Sequence, residues 1–187
     1  METLIVNLWG GPSVGKTAMA LRLAGELSIL MGTECTVEYV PEYAKGMIWR
    51  GEEALMIKQP LVTEGQIALL APVGKVDVVI TDSPIEVGLV YAQKEDLEHT
   101  QRLISEWEST YKPNSINIYI ERASVSESNF QEKGRIHTLE ESLKKDEEIL
   151  AFLKKRGIVY TSVSQKVDIL TLCKGVLVAL KKDKICQ

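Results

Sequence analysis

Residues 4–9, Leu-Ile-Val-Asn-Leu-Trp, form an apolar, β-branched run that ends at two glycines, the pattern of a strand buried on both faces. From Lys16 the period changes. Met19, Leu23, Leu27 and Leu30 recur at helical spacing, which predicts a helix over 16–31 stopped by Gly32. Residues 36–40 read as a second strand cut off by Pro41, and 43–49 as a short helix before an Arg50-Gly51 turn. A helix over 64–70 runs up to Pro72, and 77–81, Asp-Val-Val-Ile-Thr, is the clearest strand of the chain. Residues 95–111 form a helix with Leu97, Leu103, Ile104 and Trp107 on or near one face; a Pro113-Asn114 turn and a strand over 116–120 follow. The long charged helix over 138–156 has Thr138 as its N-cap and Glu141 in the capping-box position. Lys154, Lys155 and Arg156 suit its C-terminal dipole, and Gly157 ends it. The last strand is expected over 158–161 and the last helix over 167–180.

Near-continuously apolar strands that alternate with helices predict a parallel sheet covered on both faces. The expected fold is α/β with three layers. No repeat, low-complexity run or linker interrupts it, so one domain over 1–187 is expected.

Composition narrows the class without revealing the chemistry. Of 187 residues, 45% are apolar and 26% charged, which excludes collagen-like, disulfide-scaffold and disordered chains. Lys plus Arg is 22 and Asp plus Glu is 26, a net charge of −4. That excludes a protein held to nucleic acid mainly by bulk positive charge, but not a local basic groove. Cys35, Cys173 and Cys186 have no C-x-x-C spacing, and with only His99 and His137 there is no zinc-site pattern. Three reduced thiols in a reducing compartment are expected. The N-terminal run lacks the basic flank and cleavage site of a signal peptide, and the apolar stretch over 169–180 carries Lys174 and is too short to span a bilayer. A soluble, cytoplasmic protein is the expectation.

Gly10-Gly11-Pro12-Ser13-Val14-Gly15-Lys16-Thr17 fits G-x-x-x-x-G-K-[ST], directly between a strand and a helix. Glycines let the backbone curl so that successive N–H groups converge on a phosphate, and the helix N-terminus adds the positive end of its dipole. Lys16 is placed to reach the β- and γ-phosphates of ATP, and the Thr17 hydroxyl to hold Mg²⁺. A phosphate loop alone leaves open a GTPase switch, a remodelling ATPase and a small kinase. A guanine-reading N-K-x-D is missing, Asp82 is followed by Ser83-Pro84-Ile85, and the chain is short for a remodelling ATPase. Elimination favours a kinase.

Four further residues complete the candidate site. Asp82 closes the apolar strand 78–81, at the sheet edge where ligands of open α/β sheets bind, and can hold Mg²⁺ or accept a proton. Glu42 follows the second strand and projects from the same edge, as a group that orients the attacking hydroxyl would. Tyr43 and Trp49 are each able to stack an acceptor base, with core packing favoured for Trp49. Arg122 and Arg135 bracket a polar segment, about 122–137, with the length and charge of a lid that neutralises a transferred phosphoryl group. Lys133 and His137 lie in the same segment. Asp146 falls on the apolar stripe Leu139, Leu143, Leu150, Leu153, where a carboxylate needs a partner, and a lid arginine is the obvious one. Lys144 and Lys145 read as a solvated face, at i,i+4 spacing from Glu140 and Glu141.

Several of these stretches together resemble a family. Val6-Asn7-Leu8-Trp9-Gly10-Gly11-Pro12, Glu42-Tyr43-Ala44-Lys45, the run 76–84 and Gly88-Leu89-Val90-Tyr91 look like small bacteriophage P-loop kinases similar to the 5-hydroxymethyluridine DNA kinases, which are grouped near thymidylate kinase. The Glu-Tyr-Ala element also resembles ribosylnicotinamide kinase domains. The resemblance covers about residues 4–161 and is looser across the lid. It implies a P-loop fold with a five-stranded parallel sheet of the nucleoside- and nucleotide-kinase type. It also implies ATP as donor, and as acceptor the hydroxymethyl group of a modified uracil in phage DNA, in the host cytoplasm. This chain departs from the family in its loop, Ser13-Val14-Gly15-Lys16-Thr17-Ala18, where relatives often carry glycine, a small residue and a Ser or Thr pair. A kinase of a free nucleoside, nucleotide or ribosylnicotinamide, and an ATPase that regulates without transferring, are the alternatives.

Overall fold

A computed structural model describes residues 2–111, 114–123 and 138–185, the last five as backbone only. Its centre is β1 (Leu4–Trp9), whose six residues are all buried. Side chains alternate across a strand, so Leu4, Val6 and Leu8 serve one face and Ile5, Asn7 and Trp9 the other. The sheet is parallel throughout, in the order β2-β3-β1-β4-β5, with β2 Val37–Val40, β3 Val78–Thr81, β4 Asn114–Glu121 and β5 Thr161–Ser164. This is the expected five-stranded α/β architecture.

One face is covered by α1 (Lys16–Met31) and α7 (Ile169–Ile185), where Met19, Leu23 and Leu27 meet Leu172, Cys173 and Val176 over Leu4, Val6 and Leu8. The other face carries α3 (Gln59–Leu69) and α5 (Leu97–Tyr111), packing Leu70, Ile104 and Trp107 on Ile5 and Val79. Further along, α6 (Leu139–Arg156) sets Ile149 and Leu153 against Trp9 and Tyr119. Two short helices, α2 (Tyr43–Trp49) and α4 (Gly88–Tyr91), stand beyond the C-terminal ends of β2 and β3. Cys35 and Cys173 are buried thiols that form no disulfide among the described residues. No helix among the described residues is long and apolar enough to cross a membrane.

Several expectations shift, each for a physical reason. Helix α3 begins at Gln59, ahead of the expected 64, because Pro60 occupies its first turn, where a missing N–H costs nothing. The apolar stretch 158–160 is not the last strand. Ile158 N–H bonds to Leu153 O at the end of α6, Val159 is 87% exposed, and the polar Thr161–Ser164 pairs with β4 instead. An edge strand that pairs on one side needs no apolar sequence. Trp49, expected in the core, is 66% exposed. The buried face of α6 runs through Ser142, Asp146, Ile149 and Leu153, leaving Leu143 outside. Its termini are as expected: Thr138 and Glu141 form the capping box, and Gly157 caps the end at φ 66°.

Below the sheet, Glu86 lines a cavity of about 30 Å³ with Ile5, Asn7, Trp107 and Glu108. Burial raises its pKa, with the negative Glu108 adding to the effect and Arg156 opposing it. A folded-state pKa above the unfolded one means stability that is present at low pH and declines as the group ionises. Glu86→Gln is therefore expected to raise the melting temperature at pH 8, with a gain that shrinks towards pH 5; thermal melts at the two pH values measure it.

Candidate active site

The sheet brings the candidate residues to one edge. The chain leaves β1 through Gly10 at φ 140° and enters α1 through Gly15 at φ 89°, backbone that favours glycine. Ser13 also turns left-handed, at φ 62°, although it has a side chain. Such a residue stores strain of about 1–3 kcal/mol and marks a loop held to shape by its surroundings.

The surroundings are visible. Lys16 Nζ donates to Gly10 O at 2.8 Å and to Gly11 O at 2.9 Å. Arg122 Nη2 donates to Pro12 O at 2.7 Å, Gln165 Nε2 to Val14 O at 2.9 Å, and Gly11 N–H to Asp146 Oδ1 at 2.7 Å. Four loop carbonyls are thus engaged by side chains. Gly15, the N-cap of α1, makes no side-chain capping bond. The first-turn N–H groups of a helix have no intrahelical partners, so this end suits an anion.

Asp82 stands just past β3 and is 1% exposed. Its Oδ2 accepts from Thr17 Oγ1 at 2.6 Å and from Tyr39 OH at 3.1 Å, while its Oδ1 is buried with no hydrogen-bond partner among the described residues. A buried carboxylate oxygen without a partner is costly. Oxygen donors on Thr17 and Asp82, one of them orphaned, fit a hard cation such as Mg²⁺, which takes one or two protein oxygens and completes its shell with phosphate and water. The pKa of Tyr39 is raised chiefly by burial, then by the charge of Asp82 and the hydrogen bond to it, so its phenol remains a donor.

Glu42 is the N-cap of α2, in extended conformation at the end of β2. Gln66 of α3 grips the chain on both sides of it: Tyr43 N–H donates to Gln66 Oε1 at 2.8 Å, and Gln66 Nε2 donates to Pro41 O at 3.2 Å. The Tyr43 ring lies directly against Gly65, where a Cβ would collide with it, and the Arg50 guanidinium sits 5.4 Å from the ring centroid. Tyr43 is thus an anchor for α2 on α3. Gln66→Leu keeps the volume but strands Pro41 O and Tyr43 N–H. It is expected to cost about 1–3 kcal/mol of stability, read from a denaturation curve.

A cavity of about 370 Å³ joins these parts. Lys16 and Glu42 line it together with Ile48, Gln59, Thr63 and Tyr91. It is small for a ligand pocket, near the low end of the roughly 300–1,000 Å³ range, and mixes apolar walls with a few polar groups. Gly88 shapes it, since a Cβ there would lie 2.8 Å from Thr63 Oγ1.

The structure brings together Lys16, Thr17, Asp82 and Glu42 from the predicted set. Arg122 meets Asp146 in a buried ion pair, the partner expected for that carboxylate. Arg135, with Lys133 and His137, lies outside the described residues. Lys145 is not on a solvated face. It pairs with Glu148 at 2.6 Å and lies over the Tyr91 ring, while Lys144 reaches Glu148 rather than Glu140. Sequence reasoning missed Tyr39, Gln66, Gln165 and Tyr91. Each acts through hydrogen bonds or contacts to residues distant in sequence, and only Tyr91, within the Gly88–Tyr91 resemblance, left a signal.

A strand–loop–helix phosphate cradle on a parallel sheet of this order defines a P-loop protein with the architecture of nucleotide kinases. The model of an AAA domain family, AAA_28, matches residues 5–169, and the chain belongs to that family. No curated protein matches it in sequence. Two solved structures share the fold. A thymidylate kinase from Ehrlichia chaffeensis is 17% identical with a TM-score of 0.58, over 96% of this chain and 100% of that one. A deoxyadenosine kinase from M. mycoides, with product dCMP and a flexible dCDP bound, is 13% identical with a TM-score of 0.54, over 95% and 99% of the two chains.

Proposed function

We propose that this chain is an ATP-dependent kinase that transfers the γ-phosphoryl group to a hydroxyl of a nucleoside-like acceptor. The observation that carries the reading is the cavity that opens beside Lys16 and runs past Glu42 between α2, α3 and α4. A regulatory ATPase needs a place for water; a kinase needs a second compartment next to the phosphate loop. The similarity in fold to a thymidylate kinase and a deoxyadenosine kinase supports the same class of acceptor.

In this reading Lys16 and the backbone of Gly10 to Thr17 bind the ATP phosphates, with Lys16 released from Gly10 O and Gly11 O to do so. Thr17 and Asp82 would hold Mg²⁺, which supplies neutralisation of charge on the phosphates. Glu42 orients the acceptor hydroxyl and takes its proton. Arg122 Nη1, buried without a partner among the described residues, and Arg135 neutralise the transferred group. The segment about 122–137 is the lid of a single kinase domain.

The preferred acceptor is the 5-hydroxymethyl group of 5-hydroxymethyluracil in phage DNA. Reaching it requires a base taken out of the stack, at a cost of a few kcal/mol. With a net charge of −4, a small basic mouth has to serve, and free nucleosides are the competing acceptors. Labelled ATP offered with hydroxymethyluracil DNA and, separately, with free nucleosides, nucleotides and ribosylnicotinamide decides between them. Label in the DNA is expected. Label in the free pool alone identifies a metabolite kinase, and label in no acceptor sinks the kinase reading.

A further inference from the structure

Helix α6 reaches both compartments of the site through two consecutive residues. The Asp146 side chain is 13% exposed and that of Arg122 7%. One carboxylate oxygen takes the Gly11 N–H and the other the Arg122 Nε, while Arg122 Nη2 takes Pro12 O. Two consecutive loop residues are therefore held from outside, one by its N–H and one by its carbonyl. The approach is close. A Cβ on Gly11 would strike Asp146 and lie 2.8 Å from the backbone oxygen of Ser142, so the helix itself rests on the loop.

Lys145, one residue earlier, packs against Tyr91 and Val90. Its Nζ lies 4.4 Å from the centroid of the Tyr91 ring, donates to Val90 O at 3.4 Å, and pairs with Glu148 at 2.6 Å. Tyr91 lines the cavity. Successive residues on a helix are separated by about 100° around its axis, so neighbours can serve two surfaces that meet along it.

We infer that Lys145 and Asp146 are positioning residues, a brace on α6 that sets the phosphate loop and the Tyr91 wall of the cavity in fixed register. The inference rests on the two-substrate reading above. Neither side chain needs to touch a substrate; Asp146 acts through Gly11 and Arg122, Lys145 through Tyr91 and Val90. Register matters because a misplacement of about 1 Å between reacting groups can cost about 10²-fold in rate.

Three variants of the full chain test the brace. Asp146→Asn keeps an acceptor for Gly11 N–H but withdraws the charge from Arg122. Breaking a buried pair from one side is strongly destabilising, so Asp146→Glu, which keeps the charge and adds a methylene, is made beside it. Lys145→Met keeps the stem over Tyr91 and removes the charge. The readouts are melting temperature, affinity for a fluorescent ATP analogue, and kcat and KM with whichever acceptor of the screen takes label. Folded Asp146 variants are expected to bind the analogue about tenfold more weakly, the scale of one charge-assisted hydrogen bond, and to lose kcat. Lys145→Met is expected to leave analogue affinity within about twofold while acceptor KM rises and kcat falls about tenfold. Variants that melt lower yet keep wild-type affinity, kcat and KM have lost packing only, and the brace is overturned. A wild-type chain that binds the analogue but phosphorylates nothing overturns the two-substrate reading and the Lys145 half with it. The Asp146 half is then decided by analogue affinity alone.

Discussion

Asp82→Asn is expected to raise the melting temperature of the free protein while lowering magnesium-dependent phosphoryl transfer by about 10²–10³-fold. Both signs come from one atom. Asp82 Oδ1 is buried with no partner among the described residues, while Oδ2 already serves Thr17 and Tyr39. In the free protein that arrangement keeps a carboxylate out of water with half of its bonding capacity unused. An asparagine keeps an acceptor for Thr17 and Tyr39 and relieves the buried charge. A gain of about 1 kcal/mol corresponds to roughly 2–4 °C for a chain of this size. In the proposed reading the same change removes the anionic ligand that Asp82 would give Mg²⁺, the usual conflict between stability and an active site. Melts without nucleotide and transfer rates across a magnesium titration measure the two effects; a variant that loses both stability and activity would show that Asp82 is simply structural.

Glu42→Gln is expected to lower the rate of transfer in a single turnover by about 10²–10⁴-fold, with affinity for ATP within about twofold of wild type. The amide matches the carboxylate in size, and the backbone grip of Gln66 on Pro41 and Tyr43 does not involve the Glu42 side chain. Position is preserved and basicity is lost. Transfer at near wild-type speed would remove Glu42 from the chemistry. The contrast with Gln66→Leu is informative, since that change keeps the carboxylate and loosens its mounting.

How much of this was legible depends on where the information lies. The β1–loop–α1 unit was plain because a wholly buried strand, positive-φ glycines and a lysine–threonine pair fall within 14 consecutive residues, Leu4 to Thr17. Helix α6 announced itself through its capping box and Gly157. Asp82 and Glu42 were legible because parallel topology sends every strand's C-terminal end to one edge. The polar edge strand β5 was misplaced onto the apolar 158–161 run, since burial pattern and strand pairing part company at a sheet edge. Trp49 misled in the same way: hydrophobicity argued for the core, and the helix it ends leaves it 66% exposed. Gln66 went unnoticed and Lys145 was misread as solvated because a glutamine or lysine on a helix looks the same whether it faces water or another element, while Tyr39 on β2 and Gln165 in the turn after β5 meet their partners only through the fold.

The central claim is that the cavity beside Lys16 and Glu42 receives a hydroxyl acceptor rather than water alone. The most direct measurement follows the γ-label of ATP and divides it between inorganic phosphate and acceptor, with 5-hydroxymethyluracil DNA or a free nucleoside present. A kinase puts most of the label in the acceptor, and Glu42→Gln slows that fraction. Label that appears only as inorganic phosphate, at a rate no acceptor alters, would contradict phosphotransfer and identify the chain as an ATPase.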